Sequence, residues 1–96
     1  MFRIGLVGAG AISRRHLQAF VESDYVATVE IADPSEQARE AMRKDYGLVT
    51  AAHETIEPLL ENPDIAIIDV CTPHYLHKPQ AIAALEAGTH VILEKP

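Results

Sequence analysis

Two glycines, Gly8 and Gly10, stand between an apolar run, Phe2 to Val7, and a helical pattern that begins at Ala11. The chemistry open to such a turn is anion binding. Gly8 permits a tight turn, and Gly10 has no side chain to block a pyrophosphate. The N–H groups at the start of the next helix, around Ala11 and Ile12, then point at phosphate oxygens. The place of the loop at the first strand-to-helix turn carries more weight than the glycines themselves. The third small position holds Ser13 where the pattern has Gly or Ala. A small residue there nearly satisfies close helix–strand packing, and its hydroxyl adds a donor. The same residues also suit an ordinary glycine-rich turn with no ligand.

A carboxylate follows at Asp33, 20 residues beyond Ser13, where the second apolar run ends. A carboxylate at that place accepts hydrogen bonds from adenosine ribose hydroxyls and repels a 2′-phosphate. The next residues, Pro34-Ser35-Glu36, bring no cation. The pattern favours NAD over NADP. Asp33-Pro34-Ser35-Glu36 is also an N-cap, a first-turn proline and a capping-box glutamate. The glycine loop at the right distance upstream tips the balance toward ribose binding.

These groups can act together only if strands and helices alternate around them. Residues 2–7 are an apolar run bounded by glycine, a buried strand. Residues 11–22 place Ile12, His16, Ala19 and Phe20 on one helical face. Residues 26–32 are rich in Val, Thr and Ile and form the second strand. Residues 34–46 are rich in Ala, Glu, Gln, Arg and Lys, a helix that Gly47 stops. A short strand is predicted at 48–50 and a third helix at 53–60, with Pro58 in its middle. Residues 65–71 are nearly all apolar, as a central parallel strand covered on both faces requires. A helix follows over 78–87, with Pro79 in its first turn and Gly88 just past its end. Residues 89–93 are the fifth strand. The pattern is α/β, a doubly wound parallel sheet of about five strands with helices on both faces. Such a sheet usually has six strands, so residues 1–96 read as one dinucleotide-binding domain, truncated before the sixth strand and a C-terminal domain.

Composition agrees with one ordinary globular domain: 96 residues, 48% hydrophobic and 23% charged. A net charge of −6 argues against nucleic acid, which needs clustered Lys and Arg. A single phosphate site survives that charge, because backbone N–H groups can hold it. The one cysteine, Cys71, forms no intrachain disulfide and fits a reducing compartment. No apolar run has the length of a membrane span, and the N-terminus lacks the features of a signal peptide, so a cytoplasmic location is expected. The scattered histidines and the cysteine show no metal-ligand spacing, so no metal is expected.

Three segments carry a family likeness. The first is Val7-Gly8-Ala9-Gly10-Ala11-Ile12-Ser13 with His16 after it. The second is Thr72-Pro73, His77, Ala81, Ala84-Leu85 and Ala87-Gly88. The third is His90-Val91 with Glu94-Lys95-Pro96. Together they resemble the N-terminal NAD(P)-binding domain of the glucose–fructose oxidoreductase / inositol dehydrogenase (Gfo/Idh/MocA) family. The resemblance implies that Thr72, Pro73 and His77 line the cofactor pocket and that Glu94 reaches the nicotinamide ribose. It places Lys95 at the hydride-transfer site, where an ammonium donor polarises a carbonyl and stabilises developing alkoxide charge. The family's Lys-Pro bond is often cis, a geometry that would aim Lys95 into the cleft. The remaining catalytic groups, an Asp and a His, belong to the second domain, so no residue here inherits them. His16 then reads as the buried edge of the first helix, His53 and His74 as solvated or capping, and His90 as structural. His77 also reads as a cap for its helix, and Cys71 as buried filler. Arg14 and Arg15 read as a solvated helix face.

The resemblance implies an oxidoreductase that moves hydride between a nicotinamide cofactor and a secondary alcohol or ketone of a sugar, polyol or related small molecule. The cofactor expected is NAD, with NADP disfavoured. The substrate is expected to bind through the absent C-terminal domain, and the full-length protein to be a homo-oligomer. The alternatives are a non-catalytic dinucleotide-binding regulatory protein and an inactive fragment. Lys95 favours the enzyme, because a pure binder has no use for a lysine aimed at a reacting carbon.

Overall fold

The computed structural model describes residues 1–93. Among them five strands and four helices alternate: β1 (Phe2–Val7), α1 (Ala11–Val21), β2 (Val26–Ala32), α2 (Glu36–Asp45), β3 (Val49–His53), α3 (Glu57–Glu61), β4 (Ile65–Val70), α4 (His74–Glu86) and β5 (His90–Leu93). Every strand pair is parallel, and the order across the sheet is β3-β2-β1-β4-β5. These are the first five positions of the 3-2-1-4-5-6 order of a doubly wound dinucleotide fold. Chain growth reverses between β3 and β4. The carboxyl ends of β1 and β4 therefore face a crevice, where such folds bind ligands.

The sheet is covered on both faces, which explains the apolar strands. On one face Leu6, Ile31, Val29 and Val49 pack with Leu17 of α1 and Met42 of α2. On the other, Val7, Ile68 and Val70 pack with Leu59 of α3 and Ala84 of α4. Gly5 lets the short α3 approach. A Cβ there would stand 2.7 Å from Ile68 Cδ1 and 3.3 Å from Leu59 Cδ1.

Several element boundaries differ from the sequence expectation. Helix α2 begins at Glu36, and its N-cap is Ser35, whose Oγ accepts the Ala38 N–H at 3.2 Å. Asp33 is not that cap. Strand β3 runs on to His53, because Ala51, Ala52 and His53 pair with Glu30, Ile31 and Ala32 of β2. Pairing thus claims residues that alone look ready to start a helix. Helix α3 starts only at Glu57, with Pro58 in its first turn, where its missing N–H costs nothing. Helix α4 starts at His74, and Pro79 lies inside it. Proline there removes the bond to the Tyr75 carbonyl, and Tyr75 is exposed to water.

Candidate functional site

The N-terminus of α1 is open. Its N-cap is Gly10, with φ −92° and ψ −165°, no side chain caps it, and its first turn holds no acidic residue. The first intrahelical bond runs from Arg14 N–H to Gly10 O at 3.1 Å. The N–H groups of Ala11, Ile12 and Ser13 have no acceptor within the helix, and Gly10, Ala11 and Ile12 are exposed. Helix α2 shows the contrast, since Ser35 and the first-turn Glu36 occupy its N-terminus. Only α1 of the two presents free donors and a positive dipole end to an outside anion.

Each glycine of the loop has its own role. Gly8 is buried with φ +107°, and an added Cβ would meet the Cys71 carbonyl oxygen at 3.0 Å and Ser13 Oγ at 3.2 Å. Gly10 has nothing within 4 Å of the place a Cβ would take. Gly8 is thus required by the fold, while Gly10 keeps space clear outside it. Ser13 is fully buried, and its Oγ has no hydrogen-bond partner among the described residues. Its small size serves the helix–strand contact against Gly8. The expected donation to phosphate does not fit that depth.

Asp33 is tied to the loop. Its Oδ2 accepts the Ala9 N–H at 2.9 Å and its Oδ1 accepts the Ser35 N–H at 2.8 Å. The carboxylate thus links the β1–α1 and β2–α2 turns. Each oxygen keeps a second lone pair for an outside donor. Arg39 Nη1 donates to the Asp33 carbonyl at 2.7 Å. The sequence reading found no cation right after Asp33. Arg39 lies one helical turn into α2, and the fold returns it to that place.

A cleft of about 550 Å³ opens beside Asp33 at the carboxyl ends of β1, β2 and β4. Val7, Asp33, Ile56, Thr72 and Pro73 are among its walls, and the carboxylate residues Glu54 and Glu57 border it. Thr72 Oγ1 donates to Gln80 Oε1. His77 does not line this cleft. It is buried inside α4, and its Nε2 donates to the Thr72 carbonyl at 2.6 Å. It is neither the pocket wall nor the helix cap of the sequence reading, but a brace behind the Thr72-Pro73 turn. Glu94, Lys95 and the Lys95–Pro96 bond lie outside the described residues.

Sequence reasoning missed a polar cluster on the α1 side of β4. Asp69 is fully buried, and His16 Nδ1 lies 2.6 Å from its Oδ2. Cys71 Sγ lies 3.3 Å from His16 Nδ1 and 3.5 Å from Asp69 Oδ1. Cys71 packs against the core and also touches these polar groups, and His16 is more than a helix edge. The 2.6 Å contact is a direct hydrogen bond. His53, expected to be solvated or capping, has Nε2 2.8 Å from Glu30 Oε1, and Asn62 donates to Glu30 Oε2 at 3.1 Å. Arg14 pairs with Asp45 at 2.8 Å and lies over the Tyr46 ring. The hydrogen bond to Asp45 raises its already high pKa, so on its solvated face Arg14 forms an ion pair to α2.

Comparison with known proteins places this geometry in context. The family model described as an oxidoreductase family with an NAD-binding Rossmann fold matches residues 2–96. A 1-carboxy-3-chloro-3,4-dihydroxycyclohexa-1,5-diene dehydrogenase from Comamonas testosteroni is 36% identical over 94 residues, covering 98% of this chain and 23% of its own. The crystal structure of a probable dehydrogenase from Thermotoga maritima superposes with a TM-score of 0.92 at 30% identity, over 99% of this chain and 28% of that one. A levoglucosan dehydrogenase solved with NADH and levoglucosan gives a TM-score of 0.89 at 28% identity, over 99% of this chain and 28% of that one. The chain thus spans about a quarter of the length of the relatives it matches. Among the described residues no helix is long and apolar enough to cross a membrane.

Proposed function

This chain belongs to the Gfo/Idh/MocA oxidoreductase family, whose model covers residues 2–96, and from that premise we propose that it is the dinucleotide-binding part of a dehydrogenase or reductase. The reaction is hydride transfer between a nicotinamide cofactor and a secondary alcohol or ketone of a sugar, polyol or related small molecule. The observation that carries the proposal is the uncapped N-terminus of α1 beside Asp33.

The residues divide the work by position. The N–H groups of Ala11 and Ile12 hold the pyrophosphate, and Gly10 lets it approach. Asp33 accepts the adenosine ribose hydroxyls while it keeps its bond to Ala9. Thr72 and Pro73 form the opposite wall of the cleft, with His77 behind them. When bound, the nicotinamide gives or takes the hydride. Glu94 holds the nicotinamide ribose, and Lys95 donates to the substrate oxygen that gains or loses charge. The match of Glu94-Lys95-Pro96 to the family pattern supports both roles and favours an enzyme over a pure cofactor sensor. The relatives are about four times longer than this chain, which supports a separate substrate domain in the whole protein. A homo-oligomer in the cytoplasm completes the reading.

The cofactor is NAD rather than NADP. The Asp33 carboxylate, with Glu54 and Glu57 on the same cleft, repels a 2′-phosphate. Titration with NADH and NADPH, followed by nicotinamide fluorescence, tests this. Wild type binds NADH at least about tenfold more tightly. Asp33→Ser weakens NADH and gains NADPH, because Arg39 then faces the 2′-phosphate without the Asp33 carboxylate beside it. Equal affinity of wild type for both cofactors would overturn the NAD assignment. Binding of neither would overturn the dinucleotide site.

A further inference from the structure

Helix α1 carries the pyrophosphate donors, yet its hold on the sheet is slight. Along its 11 residues only Ser13 and Leu17 are buried. A polar tie runs from His16 Nδ1 to Asp69 Oδ2 at 2.6 Å, a contact between residues 53 apart in sequence. Asp69 is fully buried on β4. An apolar side chain there would pack without the desolvation cost of a buried carboxylate. What the carboxylate adds is direction, since a short charge-assisted hydrogen bond fixes both angle and distance.

The strand that carries Asp69 leads straight into the cofactor cleft. Cys71, whose Sγ lies 3.5 Å from Asp69 Oδ1, is followed by Thr72 and Pro73 of the cleft wall. The Cys71 N–H donates to the Val7 carbonyl at 2.9 Å, and the Cys71 carbonyl is the group against which Gly8 packs. The His16–Asp69 bond therefore helps to join the two parts of the site, the phosphate helix on one side and the end of β4 on the other.

We propose that His16 and Asp69 are positioning residues for the dinucleotide: their hydrogen bond sets where the N-terminus of α1 stands relative to β4, and so sets cofactor affinity. This rests on the dinucleotide reading of the site. Neither residue lines the cleft, so neither is expected to touch the cofactor.

The test is NADH titration of the full chain, paired with thermal unfolding of each variant. His16 is half-buried on the outer side of the pair, so His16→Ala is expected to fold. It should raise the NADH Kd about tenfold, as loss of one charge-assisted bond that aims the helix would. His16→Asn puts an amide N–H near the place of Nδ1 and should restore the Kd to within about threefold of wild type. Asp69→Asn keeps the volume but not the charge and should fall between them, which keeps the test open if His16→Ala does not fold. A purely structural pair would lower the unfolding temperature in these variants without moving the Kd of the folded protein. That result, or a His16→Asn variant that binds as weakly as His16→Ala, overturns the proposal. Wild type that binds no NADH is a different failure, of the dinucleotide site itself, and removes the basis of the inference with it.

Discussion

Gly10→Val abolishes dinucleotide binding and leaves the fold in place. Gly10 has φ −92° and ψ −165°, a backbone that any L-residue adopts, and nothing lies within 4 Å of its missing Cβ. Valine is a poorer N-cap than glycine, so a stability loss of up to about 1 kcal/mol is expected. The added methyls stand over the free N–H groups of Ala11 and Ile12, where the pyrophosphate must come. A loss of at least about 100-fold in affinity follows, or about 2.8 kcal/mol. Urea unfolding and NADH titration of the same sample check both halves. Near-normal NADH affinity in a folded Gly10→Val variant would remove the loop from the site.

Gly8→Ala should do the reverse and damage the fold first. Gly8 has φ +107°, and an added Cβ would press on the Cys71 carbonyl at 3.0 Å. An L-residue at such a φ costs about 1–3 kcal/mol. The clash adds to that, because a backbone carbonyl just past the end of β4 cannot turn aside as a side-chain tip can. The expected loss is about 3 kcal/mol, a large part of the roughly 5–15 kcal/mol that holds a domain together. For a chain of this size that lowers the melting temperature by more than about 10 °C. Calorimetry or circular dichroism melting would show it, and a wild-type melting temperature would refute the strain. Two glycines separated by one residue, alike in the sequence, thus differ: the fold needs Gly8, and Gly10 keeps space clear at the open end of α1.

The sequence by itself determined the class of fold and pointed to a candidate site. Strand runs such as Ile65–Val70 and the β–α alternation are local patterns, and burial on two faces leaves its mark in each strand. The loop at Gly8 and Gly10 and the carboxylate at Asp33 could be found because their spacing follows from one β-α-β unit. The likeness to a known family pointed to Thr72 and Pro73, which border the cleft beside Asp33.

Other features depended on which strands become neighbours. Residues 51–53 join β3 rather than a helix because β2 lies beside them. His16 meets Asp69 because β4 crosses to the side of β1 under α1. Arg14 meets Asp45 through the packing of α1 and α2 on one face. His77 braces Thr72 from behind instead of lining the cleft, because α4 begins at His74 and carries its ring inward. Periodicity and propensity are properties of a short stretch of chain. Which polar groups meet depends on strand order and register, and those are settled only when distant segments pack together.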